Sequence, residues 1–412
     1  MKFCEATLSN GLEVIAECNP DAYASAFGFF VKTGARDESD EVWGVSHFLE
    51  HMVFKGTARR SAADVNRDLD ALGSKSNAYT SEEQTVYYAA VLPEYQESVV
   101  EILADMMRPA LRQDDFDVEK QVILKEINKY ANEPPFGAHE KCMAAHFGQH
   151  PLGRSVLGTV ESITALTSEQ MRKYFEQRYS PKNIALVASG NVDFAALVES
   201  AERYCGAWQP FATGRSTPRA PAHSGCEVVQ KDIATQQYTV QIANGPAAED
   251  DDRYAARLLA TILGDDSGSR MFWELVDTGL AEYAGMSAYE YQGTGVYMTF
   301  LSCAPEDAAE NLSRIDALMQ GAEREGVTAA ELQQAKNKIC AHIILQAERS
   351  ANRLFSVGSN WIQRREYRTV AELVKSYQSV TVSDVAGILK KYPLTQKTTV
   401  SVGPLSELEE KR

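Results

Sequence analysis

The sequence lacks the features that usually identify membrane, secreted and nucleic-acid-binding proteins. No apolar run reaches the roughly 18–20 residues that a membrane-spanning helix needs. The first residues contain no basic segment followed by an apolar one, so we expect no signal or transit peptide and a cytoplasmic protein. The net charge of −16 reflects a shortage of basic residues, which argues against binding to nucleic acid. We therefore expect neither a membrane nor a nucleic acid as a partner.

Cysteines are few and scattered. There are seven of them, an odd number, and no pair has the C-x-x-C spacing. This distribution argues against a disulfide framework and against a zinc site built from cysteine. Small buried side chains are the simplest interpretation of these cysteines.

The length of 412 residues predicts at least two domains. Residues 210–226 are rich in Pro, Gly, Ser and Thr and show no apolar period, which is typical of a linker. The strand and helix signals after this segment repeat the order of those before it. We therefore predict an α+β protein with an N-terminal domain in residues 1–209 and a C-terminal domain of similar fold in residues 227–412. Each would be a unit of about 200 residues, related by internal duplication.

The most informative motif is His47-x-x-Glu50-His51, which lies in a predicted helix over residues 42–55. Positions i and i+4 share one face of a helix, so both imidazoles can reach one metal ion. Glu50 lies on the adjoining face, where its carboxylate can hold a metal-bound water and take its proton. The order H-x-x-E-H is that of the inverted zincins. The alternative is two histidines hydrogen-bonded to backbone or water.

A catalytic zinc ion requires a third protein ligand from another element. A predicted helix over residues 114–131 offers Glu119 and Glu126. Seven residues span almost two helical turns, so both carboxylates point the same way, about 10 Å apart along the axis. One of them can bind the metal while the other supports a ligand. The other histidines share no ligand spacing with an acidic residue and are interpreted as surface or core residues: His139, His146, His150, His223 and His342.

Several segments resemble the pitrilysin/insulinase family of metallopeptidases. The segment 44–57 contains the H-x-x-E-H motif, 77–88 reads NAYTSEEQTVYY, and 119–127 reads EKQVILKEI. The opening residues 7–12 are also similar to the first strand of the family. The resemblance is closest to the two-domain branch that includes mitochondrial processing peptidase and its bacterial relatives, and it extends over nearly the whole chain. It implies two α/β sandwich domains.

The resemblance also implies roles for individual residues. His47, His51 and Glu126 would hold one Zn²⁺ ion per chain. Glu50 would be the general base, and Glu119 would support catalysis without binding the metal.

For the substrate, the resemblance implies an edge strand containing Asn77 and Ala78, to which a peptide adds as a further strand. Members with a full active site often carry an Arg and a Tyr seven residues apart in the second domain, where both contact the scissile carbonyl. Tyr283 keeps this spacing, whereas Val276 stands at the Arg position. Arg270 lies thirteen residues before Tyr283 and is a poor substitute.

These observations predict a zinc endopeptidase that hydrolyses peptides or unfolded protein segments. We expect it to form a homodimer, or a heterodimer with a homologous chain that supplies the missing Arg. The alternative is a non-catalytic or partner-dependent interaction subunit of a peptidase-like complex. A zinc hydrolase that acts on non-peptide substrates also remains open.

Overall fold

A computed structural model of the protein describes residues 1–408. The chain forms two compact units. The first contains Met1–Asn128, Arg154–Ser216 and Leu345–Arg368, and the second contains Lys129–Gly153, Thr217–Ile344 and the chain from Thr369 onward. Each unit therefore includes a segment from the other half of the sequence. The predicted boundaries at 209 and 227 stay a prediction, and residues 409–412 of the predicted C-terminal domain lie outside the described residues.

Strands and helices alternate along the described residues. The strands are β1 (Lys2–Thr7), β2 (Glu13–Cys18), β3 (Ser25–Val31), β4 (Lys75–Thr80), β5 (Thr85–Val91), β6 (Ile184–Gly190), β7 (Gly225–Gln230), β8 (Gln237–Gly245), β9 (Tyr283–Tyr291), β10 (Thr294–Cys303) and β11 (Lys397–Gly403). The helices are α1 (Val45–Val53), α2 (Ala62–Ala71), α3 (Gln96–Met106), α4 (Gln113–Asn132), α5 (Ala138–Phe147), α6 (Val160–Ala165), α7 (Ser168–Arg178), α8 (Phe194–Cys205), α9 (Arg253–Gly264), α10 (Ala308–Glu325), α11 (Ala329–Ala347), α12 (Ser350–Arg364), α13 (Val370–Ser379) and α14 (Val382–Lys391).

The first unit is built on a six-stranded sheet in the order β1-β2-β6-β3-β5-β4. β2 and β6 are parallel, and the other neighbours are antiparallel. Both faces of the sheet are covered, so every residue of β3 is buried. Helices such as α1, α3 and α8 pack on one face, and α12 packs on the other. Gly358 permits this approach of α12, because a Cβ there would lie 2.4 Å from the ring of Phe30.

The second unit repeats this plan with a five-stranded sheet in the order β7-β11-β8-β10-β9. β7 and β11 are parallel, and the remaining neighbours are antiparallel, as in the order β2-β6-β3-β5-β4 of the first unit. Helices α9 and α10 pack on one face and α5 packs on the other. This repetition confirms the predicted two-domain α+β fold with an internal duplication.

Two further segments of the second half have distinct backbone conformations. Helix α11 ends at Ala347, and Arg349, with an extended backbone (φ −103°, ψ 122°), precedes α12. A π-helical turn covers Phe272–Val276. Within residues 1–408, no helix is both long and apolar enough to cross a membrane.

Candidate metal centre

Helix α1 carries the H-x-x-E-H motif, and a buried carboxylate fixes its N-terminus. Gly44 precedes the helix with a left-handed φ of +90°, and a Cβ there would lie 2.8 Å from the carbonyl oxygen of Leu157. The carboxylate of Glu38 accepts hydrogen bonds from the backbone N–H groups of Gly44 and Ser46, both at 2.7 Å. It thus takes the place of a capping side chain. Burial raises the pKa of Glu38 to about 8, although these two hydrogen bonds lower it.

The structure brings His47 and His51 of α1 next to Glu126 of α4. Oε2 of Glu126 lies 3.9 Å from Nε2 of His47 and 3.8 Å from Nε2 of His51. Among the described residues, these three are the only group of at least three His, Cys, Asp or Glu whose donor atoms come together closely enough for one metal ion, all within 4.8 Å. Burial, and next the neighbouring His51, lowers the pKa of His47 to about 4. His47 is therefore neutral at neutral pH, as a metal ligand must be.

This donor set fits a zinc ion. Ligand atoms about 2.1 Å from a tetrahedral zinc would lie about 3.4 Å from one another. The contacts of Glu126 with His47 and His51, at 3.9 and 3.8 Å, are within about half an ångström of that spacing. Two imidazole nitrogens and one carboxylate oxygen leave a fourth position for water, as in catalytic zinc sites.

Glu119 contacts His51 on the side of the ring that faces away from Glu126. Nδ1 of His51 donates a hydrogen bond to Oε1 of Glu119 at 2.8 Å, which leaves Nε2 available for a metal. Nζ of Lys55 lies 2.5 Å from Oε2 of the same carboxylate. Burial raises the pKa of Glu119, but the hydrogen bonds from Lys55 and His51 outweigh it, and the net shift is downward. Glu119 is thus an ionised carboxylate that orients a candidate ligand.

Glu50 lies beside this group, one position before His51. Its Oε2 accepts a hydrogen bond from the hydroxyl of Thr80 on β4, with Oγ1 2.6 Å away. Burial raises the pKa of Glu50, whereas the bond from Thr80 lowers it. A carboxylate with a raised pKa next to a metal site is suited to accept a proton.

The predicted substrate-binding residues lie in two places. Asn77 and Ala78 are on β4, which forms one edge of the first sheet. Asn77 is exposed, and its Oδ1 accepts a hydrogen bond from the N–H of Ala78 at 2.9 Å. Tyr283 begins β9 in the second unit, where the residue is 44% exposed.

Comparison with known proteins identifies the chain. Residues 13–160 match the family model described as insulinase (peptidase family M16), and residues 165–339 match the model described as peptidase M16 inactive domain. The chain belongs to peptidase family M16.

Relatives within the family include bacterial proteins named as uncharacterized zinc proteases. The relative from Mycobacterium tuberculosis strain H37Rv is 30% identical over 405 residues, which is 97% of this chain and 92% of the relative. The relative from Bacillus subtilis is 29% identical over 391 residues and covers 93% of this chain and 94% of its own length.

Solved structures share the M16 fold over the full length. A protease from Helicobacter pylori superimposes with a TM-score of 0.92 at 25% identity, covering 97% of this chain and 99% of that one. A structure from Pseudomonas fluorescens titled as a peptidase M16 inactive domain also gives a TM-score of 0.92, with complete coverage of both chains. At 17% identity, this second likeness shows the fold alone.

That Val276 stands at the position of the family's Arg stays a prediction, and a valine side chain has no hydrogen-bond donor. Val276 ends the π-helical turn of the second unit and packs against its core. The guanidinium of Arg270 is engaged elsewhere, because it donates to Glu331 at 2.7 and 3.0 Å and to the carbonyl oxygen of Gly326 at 3.1 Å.

Sequence reasoning assigned no role to three residues that support the site. Glu38 holds the N-terminus of α1, Lys55 contacts Glu119, and Thr80 contacts Glu50. Lys55 lies four residues after His51, and this spacing is a signal that could have been used. Glu38 and Thr80 gave no comparable signal, because their contacts depend on how the loop before α1 and the strand β4 fold against that helix.

Proposed function

We propose that this M16 chain is a zinc-dependent endopeptidase that hydrolyses peptides or unfolded protein segments. The observation that carries the proposal is the convergence of Nε2 of His47, Nε2 of His51 and Oε2 of Glu126 beside the carboxylate of Glu50. The names of the bacterial relatives as zinc proteases support it. Zinc is therefore the metal that we assign to the site, at one ion per chain.

When bound, zinc polarises the scissile carbonyl and lowers the pKa of a coordinated water toward about 7. The side chains of this chain prepare for that chemistry. His47 is held neutral by burial, and Glu119 fixes the tautomer of His51 so that Nε2 faces the metal. Lys55 keeps Glu119 ionised, which strengthens this orientation.

In this proposal, Glu50 moves the proton. One carboxylate oxygen is held by Thr80, and the other is available to take a proton from the attacking water. The raised pKa of Glu50 brings it closer to the pH at which it works, so that it can deliver the same proton to the leaving amine.

The free edge of β4 is the proposed substrate site. An extended peptide that adds to an edge strand is bound mainly through its backbone, and this mode accepts many sequences. β4 holds Asn77 and Ala78 at this edge and Thr80, the partner of Glu50, at its end. A peptide bound here would therefore run alongside the residues of the metal centre.

A second candidate, the partner-dependent subunit, is favoured by the environment of Val276 and Arg270. A valine cannot stabilise the oxyanion of a tetrahedral intermediate, and Arg270 is already paired with Glu331. A homologous partner that supplies the donor would then be required for full activity. This candidate retains the zinc site, so the two differ in the activity of the isolated chain.

The test combines metal analysis with peptide hydrolysis. His51→Ala should remove zinc and abolish cleavage of an internally quenched fluorogenic peptide, because one of three ligands is lost. His342→Ala is the matched control, since His342 is exposed on α11. The control should retain one zinc per chain and the wild-type rate.

Full zinc occupancy in His51→Ala would contradict the ligand assignment. A wild-type chain that holds zinc yet cleaves no peptide from a mixed library, and gains activity only with a homologous chain, would instead support the partner-dependent candidate.

A further inference from the structure

Thr80 connects the edge strand to the proposed general base. Its Oγ1 donates to Oε2 of Glu50 at 2.6 Å, which is a short bond typical of a hydroxyl facing a carboxylate. In the described part of the chain, no other side chain donates a hydrogen bond to Glu50. The bond therefore restricts the rotation of a glutamate side chain that would otherwise sample several rotamers.

The backbone of Thr80 faces away from the sheet. Ser81 N–H donates to the carbonyl oxygen of Gln84 at 2.8 Å, so Ser81 and Gln84 form a hydrogen-bonded pair at the end of the hairpin. Such pairs alternate along an antiparallel ladder, so the next pair, Thr80 with Thr85, is not hydrogen-bonded. The N–H and C=O of Thr80 therefore point to the free edge of β4.

The same alternation places Ala78 in an outward-facing position. The bond from its N–H to the side chain of Asn77 agrees with this orientation. Ala78 and Thr80 thus present backbone groups to any strand that adds to this edge, while the hydroxyl of Thr80 points to α1.

We propose that Thr80 is a positioning residue that couples substrate binding to the general base. Its backbone pairs with the peptide, and its hydroxyl holds one oxygen of Glu50 so that the other oxygen faces the water beside the peptide. The inference rests on the proposed peptidase function and adds to it a fixed geometry between the substrate strand and the base. The alternative is that Thr80 is present only because β-branched residues suit strands.

The test compares variants that differ only in the hydroxyl. Thr80→Val keeps the shape and the strand preference but removes the donor, and Thr80→Ser keeps the donor. The loss of one hydrogen bond to a charged group predicts that kcat for a quenched fluorogenic peptide falls about 10–100-fold in Thr80→Val, with KM unchanged. Thr80→Ser should retain most of the wild-type kcat. Thr80→Ala serves as a second variant without the hydroxyl.

Thr7→Val is the matched control, because Thr7 is exposed on β1, the opposite edge strand of the same sheet. It should keep the wild-type kcat. Zinc content should stay at one per chain in every variant, since the side chain of Thr80 hydrogen-bonds to the proposed base rather than to a proposed ligand.

A binding measurement separates positioning from substrate affinity. In the zinc-loaded Glu50→Gln protein, Thr80→Val should leave the dissociation constant of the same peptide unchanged, and a weakened constant would overturn the inference. A wild-type kcat in Thr80→Val would also overturn it, while leaving the peptidase function intact. A wild-type protein that holds zinc but cleaves no peptide would instead refute the proposed function, and the inference with it.

Discussion

Substitution of Glu119 with Gln tests the contribution of a carboxylate that contacts a proposed metal ligand, His51, rather than the metal itself. The amide keeps the shape of the side chain and an oxygen that can accept from Nδ1 of His51. It removes the negative charge that lies 2.8 Å from His51 and 2.5 Å from Nζ of Lys55. The side chain of Glu119 is only 5% exposed, so water cannot replace the lost interaction.

The expected magnitude follows from these contacts. A hydrogen bond to a charged group contributes about 1.5–3 kcal/mol, and about 1.4 kcal/mol corresponds to a tenfold change in an equilibrium constant. Loss of the charge should therefore weaken zinc binding about 10–100-fold, which is also the usual effect of changing a residue that orients a metal ligand. Glu126→Gln should be more severe, because it replaces a proposed ligand.

The assay is a competition for zinc between the metal-free protein and a chromophoric chelator. Asp117→Asn is the matched control, because Asp117 is an exposed acid on the same helix as Glu119. Lys55→Met should weaken zinc binding in the same direction, since Glu119 would lose its cationic partner. The reasoning is refuted if Glu119→Gln binds zinc as tightly as Asp117→Asn.

Two further predictions concern protonation and the second unit. In the folded protein the pKa of His47 is lowered from 6.5 to about 4. Between pH 6.5 and about 4, the imidazole of His47 is therefore protonated in the unfolded state but not in the folded state. The free energy of unfolding of the metal-free protein should then fall by up to about 3 kcal/mol as the pH drops through that range. Chemical denaturation at several pH values should show that the free energy of unfolding falls less with pH in His47→Asn than in the wild type. An equal fall in the two proteins would contradict the lowered pKa of His47. Val276→Arg should raise kcat of the isolated chain by up to about 10²-fold if position 276 is that of the family's Arg. Val276→Met is the control. An unchanged kcat in a folded Val276→Arg protein would show that position 276 is not the position of the family's Arg.

The parts of the site that the sequence predicts are those fixed by helix geometry. The spacing of His47 and His51 places both imidazoles on one face of α1 whatever the rest of the fold, and the structure shows this arrangement. The spacing of Glu119 and Glu126 likewise places both on the face of α4 that meets α1. Periodicity alone left open which of the two lies nearer the metal, because that depends on where the helices cross.

Contacts between elements distant in the sequence could not be predicted. Thr80 reaches Glu50 only because β4 lies beside α1, thirty residues earlier in the chain. The hydrogen bonds from Gly44 and Ser46 to Glu38 depend on the fold of the preceding loop. The contact of Gly358 with Phe30 requires that α12 joins the first unit, although its sequence lies in the second half. None of these contacts leaves a periodic or local signal.

The central claim is that Glu50 is the base of a zinc peptidase, and one comparison tests it most directly. Zinc content and kcat are measured for wild-type and Glu50→Gln protein with one fluorogenic peptide, and Glu5→Gln, an exposed acid on β1, is the control. The account predicts one zinc per chain in all three proteins, with kcat lower by at least about 10²-fold in Glu50→Gln alone. Glu50→Gln protein that carries zinc and cleaves the peptide at the wild-type rate would contradict it.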